Sequence, residues 1–165
     1  MIAALILTGM LASASTASVD GLTLAQQSCQ ASMGDADRLA AIAAGKGWRL
    51  LDPEDTEAMR DGNVPDKQFG YDLGGARLFL AVHSFGSICQ ITFNGDVEVV
   101  KASIEAWELG GARLASPSLY QPDVSNRVNH HWKNYMWPVN RAGIAAINLS
   151  HDPAGQSITL EMSYQ

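Results

Sequence analysis

The sequence has no basic cluster, no apolar run long enough to span a bilayer, and no cysteine besides Cys29 and Cys89. Each absence removes a class of function. Non-specific affinity for nucleic acid comes from Lys and Arg neutralising phosphates and releasing counterions. A chain of net charge -6 with its 11 Lys and Arg dispersed has no such source, so nucleic acid is excluded as a partner and anionic membrane surfaces are disfavoured. A spanning helix needs about 20 apolar residues. The longest run, Ile2-Ala-Ala-Leu-Ile-Leu7, falls well short, so no membrane span is expected.

Catalytic and ligand-holding signatures are missing too. His83-Ser84-Phe85-Gly86-Ser87 is not the G-x-S-x-G of a strained nucleophile turn. Adjacent strand residues point to opposite faces, so His83 and Ser84 are not a base and nucleophile, and His130-His131 are not a metal pair. The run Asp52-Pro-Glu-Asp-Thr-Glu57 lacks the glycine and terminal glutamate of a calcium loop and reads as solvated loop. Gly74-Gly75 and Gly110-Gly111 lack the Lys-Ser/Thr of a phosphate cradle, and no carboxylate pair stands out for glycoside hydrolysis. Neither cysteine sits in a CxxC. No cofactor, metal or catalytic residue is therefore assigned.

What is present begins with the N-terminal apolar run, followed by Leu11-Ala-Ser-Ala-Ser-Thr-Ala-Ser18. This reads as a secretory signal peptide through Ala14, although no Lys or Arg precedes it. Residues 15–165 are then one α+β domain, periplasmic or secreted. An oxidising compartment makes Cys29 and Cys89 a disulfide pair. Closing a loop of that length stabilises a fold by about 4 kcal/mol in the chain-entropy model.

Asp35 is the expected cap of a helix over Ala36–Ala44 stopped by Gly45 and Gly47, with Leu39, Ile42 and Ala43 on one face. A second helix starts at Asp96 and repeats Val97, Val100, Ile104 and Trp107, with Gly110-Gly111 as its stop. Elsewhere the period is two. Ile158, Leu160, Met162 and Tyr164 alternate with polar residues; Arg77–Ser84 and Ser87–Phe93 form a hairpin about Gly86; His130–Trp137 and Ile144–Ser150 form another through Pro138–Gly143. Asp52–Gly75 and Ala115–Asn129 read as long loops. The expected fold is an antiparallel sheet with two helices on one face. The order of elements, with Trp48-Arg-Leu50 echoed by Ala112-Arg-Leu114, suggests a duplicated α-β-β-β unit.

Cys29, Gly47-Trp48 and Cys89 together give a layout that resembles small exported proteobacterial proteins of unknown function, over roughly residues 25 to 110. The resemblance implies a fold and a disulfide and no activity.

The functional expectation is a non-catalytic binding or interaction module of the cell envelope, its partner an envelope protein or glycan. A small envelope hydrolase with loop-borne catalytic residues is the alternative. Alternation along His130–Trp137 is expected to turn Trp132, Asn134 and Met136 toward the helices. His131, Lys133, Tyr135 and Trp137 would then line the open face as binding residues, suited to stacking on a sugar or anchoring a protein.

Overall fold

The computed structural model describes residues 21–57, 66–84, 86–114, 116–120, 133–152 and 157–165. The expected signal segment lies outside them. The chain is helical over 21–32 (α1), and the middle of that helix, Gln26–Gln30, is wound as a π-helix. Helices α2 (Ala36–Lys46), α3 (Pro53–Glu57) and α4 (Val97–Glu105) follow. The strands are β1 (Arg49–Leu50), β2 (Lys67–Asp72), β3 (Ala76–His83), β4 (Gly86–Asn94), β5 (Glu108–Leu109) and β6 (Ala112–Arg113). The remaining strands are β7 (Ser118–Tyr120), β8 (Lys133–Arg141), β9 (Ile144–His151) and β10 (Ser157–Tyr164).

Helix boundaries follow from local bonds. The Asp35 carboxylate accepts from the Arg38 N–H at 2.9 Å and opens α2. Gly47, at φ 68°, closes it by returning its N–H to the helix end. Gly45 lies inside the helix and does not stop it. Asp96 caps α4 by accepting from Glu98 and Val99. That helix ends at Ala106, and Gly110-Gly111, expected as its stop, instead forms the two-residue turn between β5 and β6. Both glycines have positive φ, which such a turn requires.

The main sheet is antiparallel throughout, in the order β1-β2-β3-β4-β10-β9-β8-β7. Two meanders, β1 to β4 and β7 to β10, therefore meet at a central seam between β4 and β10. Residues paired across strands share a face. One face carries Leu78 and Leu80, Cys89 and Ile91, Leu160 and Met162, and Ile147 and Leu149, all buried. Leu22 and Ala25 of α1, Leu39 and Ala43 of α2, and Val100 and Ile104 of α4 complete that core. The expected α+β fold forms, with α1, α2 and α4 on one face of the antiparallel sheet.

Cys29 of α1 is disulfide-bonded to Cys89 of β4, with Cα atoms 5.5 Å apart, as expected. The Tyr164 hydroxyl donates to the Cys29 carbonyl at 2.6 Å, so the first helix is tied to the last strand as well.

Two expectations are corrected. The acidic run after Asp52 is not a solvated loop: it forms α3, which buries Thr56 against the other face of the sheet. Gln68 Nε2 donates to Thr56 Oγ1 at 3.3 Å, and a side chain at Gly70 would collide with Thr56. The stretch Asp52–Gly75 is also not one long loop, since it contains β2. Among the described residues no helix is long and apolar enough to cross a membrane.

Candidate functional site

Strand β8 places the expected binding residues differently from the sequence reading. His131 lies outside the described residues. Lys133 opens the strand opposite His151. Tyr135 and Trp137 stand opposite Leu149 and Ile147, both core residues, so they share the helix-covered face. Trp137 is 1% exposed, and Tyr135 is half-buried against the core with Lys101 Nζ of α4 5.0 Å from its ring centre. Glu98, bonded to the same ammonium at 3.1 Å, holds the Lys101 pKa above its ordinary value. The expected facing is therefore inverted: Asn134 and Met136 belong to the face that, among the described residues, no helix covers at β4, β10, β9 and β8, here called the uncovered face, and Tyr135 and Trp137 do not. One residue of register moves a whole strand's side chains to the opposite face.

The uncovered face is assembled by the central seam. Registers across β4, β10, β9 and β8 bring Thr92, Thr159, Ser150 and Asn134 into one row, and Gln90, Glu161, Asn148 and Met136 into the next. Side-chain bonds run along these rows. Thr92 and Thr159 hydroxyls are 3.1 Å apart; Ser150 Oγ donates to Asn134 Oδ1 at 2.6 Å; Asn148 Nδ2 donates to Glu161 Oε1 at 2.9 Å. Glu161 is the one charged side chain that these four strands place on this face, and exposed Arg77 of β3 stands beside Thr92 in the first row. Thr159 is buried and the other members are half-buried.

The described histidines do not converge. His83 pairs with Gly86 at one end of the sheet, whereas His151 pairs with Ile158, itself opposite Phe93, at the other. At about 3.4 Å per residue, roughly 24 Å of strand separates them, and they occupy opposite faces. Among the described residues no group of three or more His, Cys, Asp or Glu is placed to hold a metal. A groove of about 550 Å³ lies between the start of α1 and the β2–β3 turn, lined by Thr23, Leu24, Leu73, Phe93, Asn94 and backbone-rich glycine positions, with no titratable side chain.

A sequence signal for the uncovered face did exist. Gln90 and Thr92, Asn148 and Ser150, and Thr159, Glu161 and Ser163 are short polar residues at every second position. Their meaning depended on which strands lie side by side, and β4 and β10 are far apart in the chain. Comparison with protein-family models, with characterised proteins and with solved structures returns no match for this chain.

Proposed function

We propose that this chain is a non-catalytic binding module, exported to the periplasm or beyond, which holds its partner against the uncovered face of the sheet. The observation that carries this reading is the pair of polar rows across β4, β10, β9 and β8, built almost wholly from short uncharged side chains. An ordinary solvated surface is about 25–35% Lys, Arg, Glu and Asp. Over these four strands the face holds a single carboxylate and otherwise offers hydrogen-bonding groups, with the charged pair Arg77 and Asp72 at its β3–β2 side. Export is supported by the buried disulfide, a bond that persists in oxidising compartments, together with the apolar leader read from the sequence. The hydrolase alternative lacks an assembled nucleophile, base and orienting group among the described residues.

The test uses the immobilised protein and an extract of cell envelopes. Gln90→Arg with Ser150→Arg puts two long cations on the uncovered face without touching the core. Retention of envelope material should be lost in that variant and kept in Lys101→Glu, which alters the helix side. Equal retention by both variants would end the proposal.

A further inference from the structure

Asn94 is the one asparagine of the sequence that a glycine follows. It closes β4, and the chain bends at Gly95 before Asp96 opens α4. We infer that this junction is a site of spontaneous covalent modification, in which the Asn94 side-chain amide is lost as ammonia and the residue becomes aspartate or isoaspartate.

The chemistry needs only water. The Gly95 backbone nitrogen gives up its proton to solvent base and bonds to Asn94 Cγ. The bond from Cγ to Nδ2 breaks, and the departing nitrogen takes a proton to leave as ammonia. What remains is a cyclic imide, and water adds to one of its carbonyls. Opening between Cγ and the Gly95 nitrogen gives aspartate with the main chain as before. Opening at the Asn94 main-chain carbonyl leaves Gly95 attached through Cγ, which is isoaspartate.

Ring closure requires the peptide between Asn94 and Gly95 to rotate out of the extended geometry, so a strand held along its length resists it, as does a bulky following residue. Asn94 and Ser157 form the last pair between β4 and β10, where a ladder opens first. Asn94 is exposed to water, and Gly95 has no Cβ to obstruct its nitrogen or to restrict the rotation. The other described asparagines lack this combination. Asn134 and Asn148 are half-buried inside strands, with their amides bonded to Ser150 and Glu161, and are followed by Tyr135 and Leu149. Asn140 precedes Arg141, whose guanidinium is fixed on the Ala112 and Arg113 carbonyls.

The position gives the modification its effect. Each event adds one negative charge to a chain of net charge -6. Isoaspartate also inserts a methylene into the main chain between β4 and the cap of α4. Asp96 Oδ1 accepts from the Glu98 and Val99 N–H groups at 2.9 and 3.3 Å, bonds that depend on where the incoming chain sets Asp96. Val100 and Ile104 of α4 are wholly buried, so a helix displaced at its start disturbs the core.

The experiment ages the purified protein in warm, mildly alkaline buffer and follows each asparagine by peptide mass, with fragmentation to tell isoaspartate from aspartate. Asn94 should gain the mass of an amide-to-acid exchange about tenfold faster than Asn134, Asn140 or Asn148, equivalent to about 1.4 kcal/mol of barrier. The intact protein should acquire a more acidic band on isoelectric focusing. Gly95→Ala should slow the change by a similar factor, and Gly95 does not have the positive φ that would strain an alanine. Asn94→Gln, whose longer amide must close a larger ring, should abolish the acidic band, and thermal midpoints confirm that each variant is folded. The isoaspartate fraction should unfold at a lower temperature than Asn94→Asp, which carries the same charge without the added methylene. An unmodified Asn94, faster change at another described asparagine, or Gly95→Ala ageing at the parent rate would overturn the inference. Equal midpoints for the isoaspartate fraction and Asn94→Asp would overturn the effect on α4.

Discussion

Tyr164 is the residue through which the first helix and the last strand are held together. The Cys29 carbonyl that accepts its hydroxyl also takes bonds from Ser32 Oγ at 3.2 Å and the Met33 N–H at 3.1 Å. Its ring lies where a side chain at Gly34 would project, and its carbonyl lies where one at Gly86 would. Both glycines also sit at positive φ, so Gly34→Ala and Gly86→Ala each combine backbone strain with a collision. Tyr164→Phe removes one buried bond while the carbonyl keeps two, so a loss of about 1 kcal/mol is expected in urea unfolding. Burial pushes the Tyr164 phenol well above its ordinary value. The unfolded chain ionises first, near pH 10, and above that point it binds fewer protons than the native state. Stability therefore falls as pH rises beyond about 10 and is unaffected below it. Alkaline unfolding of Tyr164→Phe should lack that part of the slope.

At the scale of elements, what the sequence discloses is what local chemistry decides. Asp35 and Asp96 mark helix starts because a cap is a bond to an N–H two or three residues away, and both do cap. Asp96→Ala should cost about 1 kcal/mol, measured by thermal unfolding. Strands β4 and β10 were legible because their apolar residues alternate with polar ones along the sequence. Helix α1 was not legible. It is held by the disulfide, by Tyr164 and by core contacts of Leu22 and Ala25, all to residues distant in the chain. The sequence His130–Trp137 offered apolar residues at both parities, Trp132 and Met136 against Tyr135 and Trp137, so only the pairing of β8 with β9 could decide the facing. Its consequence is measurable: Trp137→Ala should cost about 3–5 kcal/mol in urea unfolding, the range for emptying a large aromatic site in a core. A variant within half a kcal/mol of the parent would place Trp137 outside the core.

For the whole molecule, the α+β class and the disulfide were legible from pattern and cysteine count, whereas the candidate site was not, because it exists only where the two meanders join. The covalent tie makes a direct prediction. Denatured, unreduced protein should show no free thiol, and Cys29→Ser with Cys89→Ser should lower stability by about 4 kcal/mol in the chain-entropy model. The order of strands carries a further implication for how the molecule is completed. Both cysteines and the whole β1–β4 meander precede Gly95, so a chain threaded N-terminus first can oxidise and order that half while β8, β9 and β10 are still arriving. Until then β4 is an open edge with unpaired backbone groups, and the strand that fits it is β10. The same edge fits β10 from a neighbouring copy, and the exchange competes with closure by its own chain as protein concentration rises. The seam that joins the two meanders is thus also the place where two copies would exchange strands.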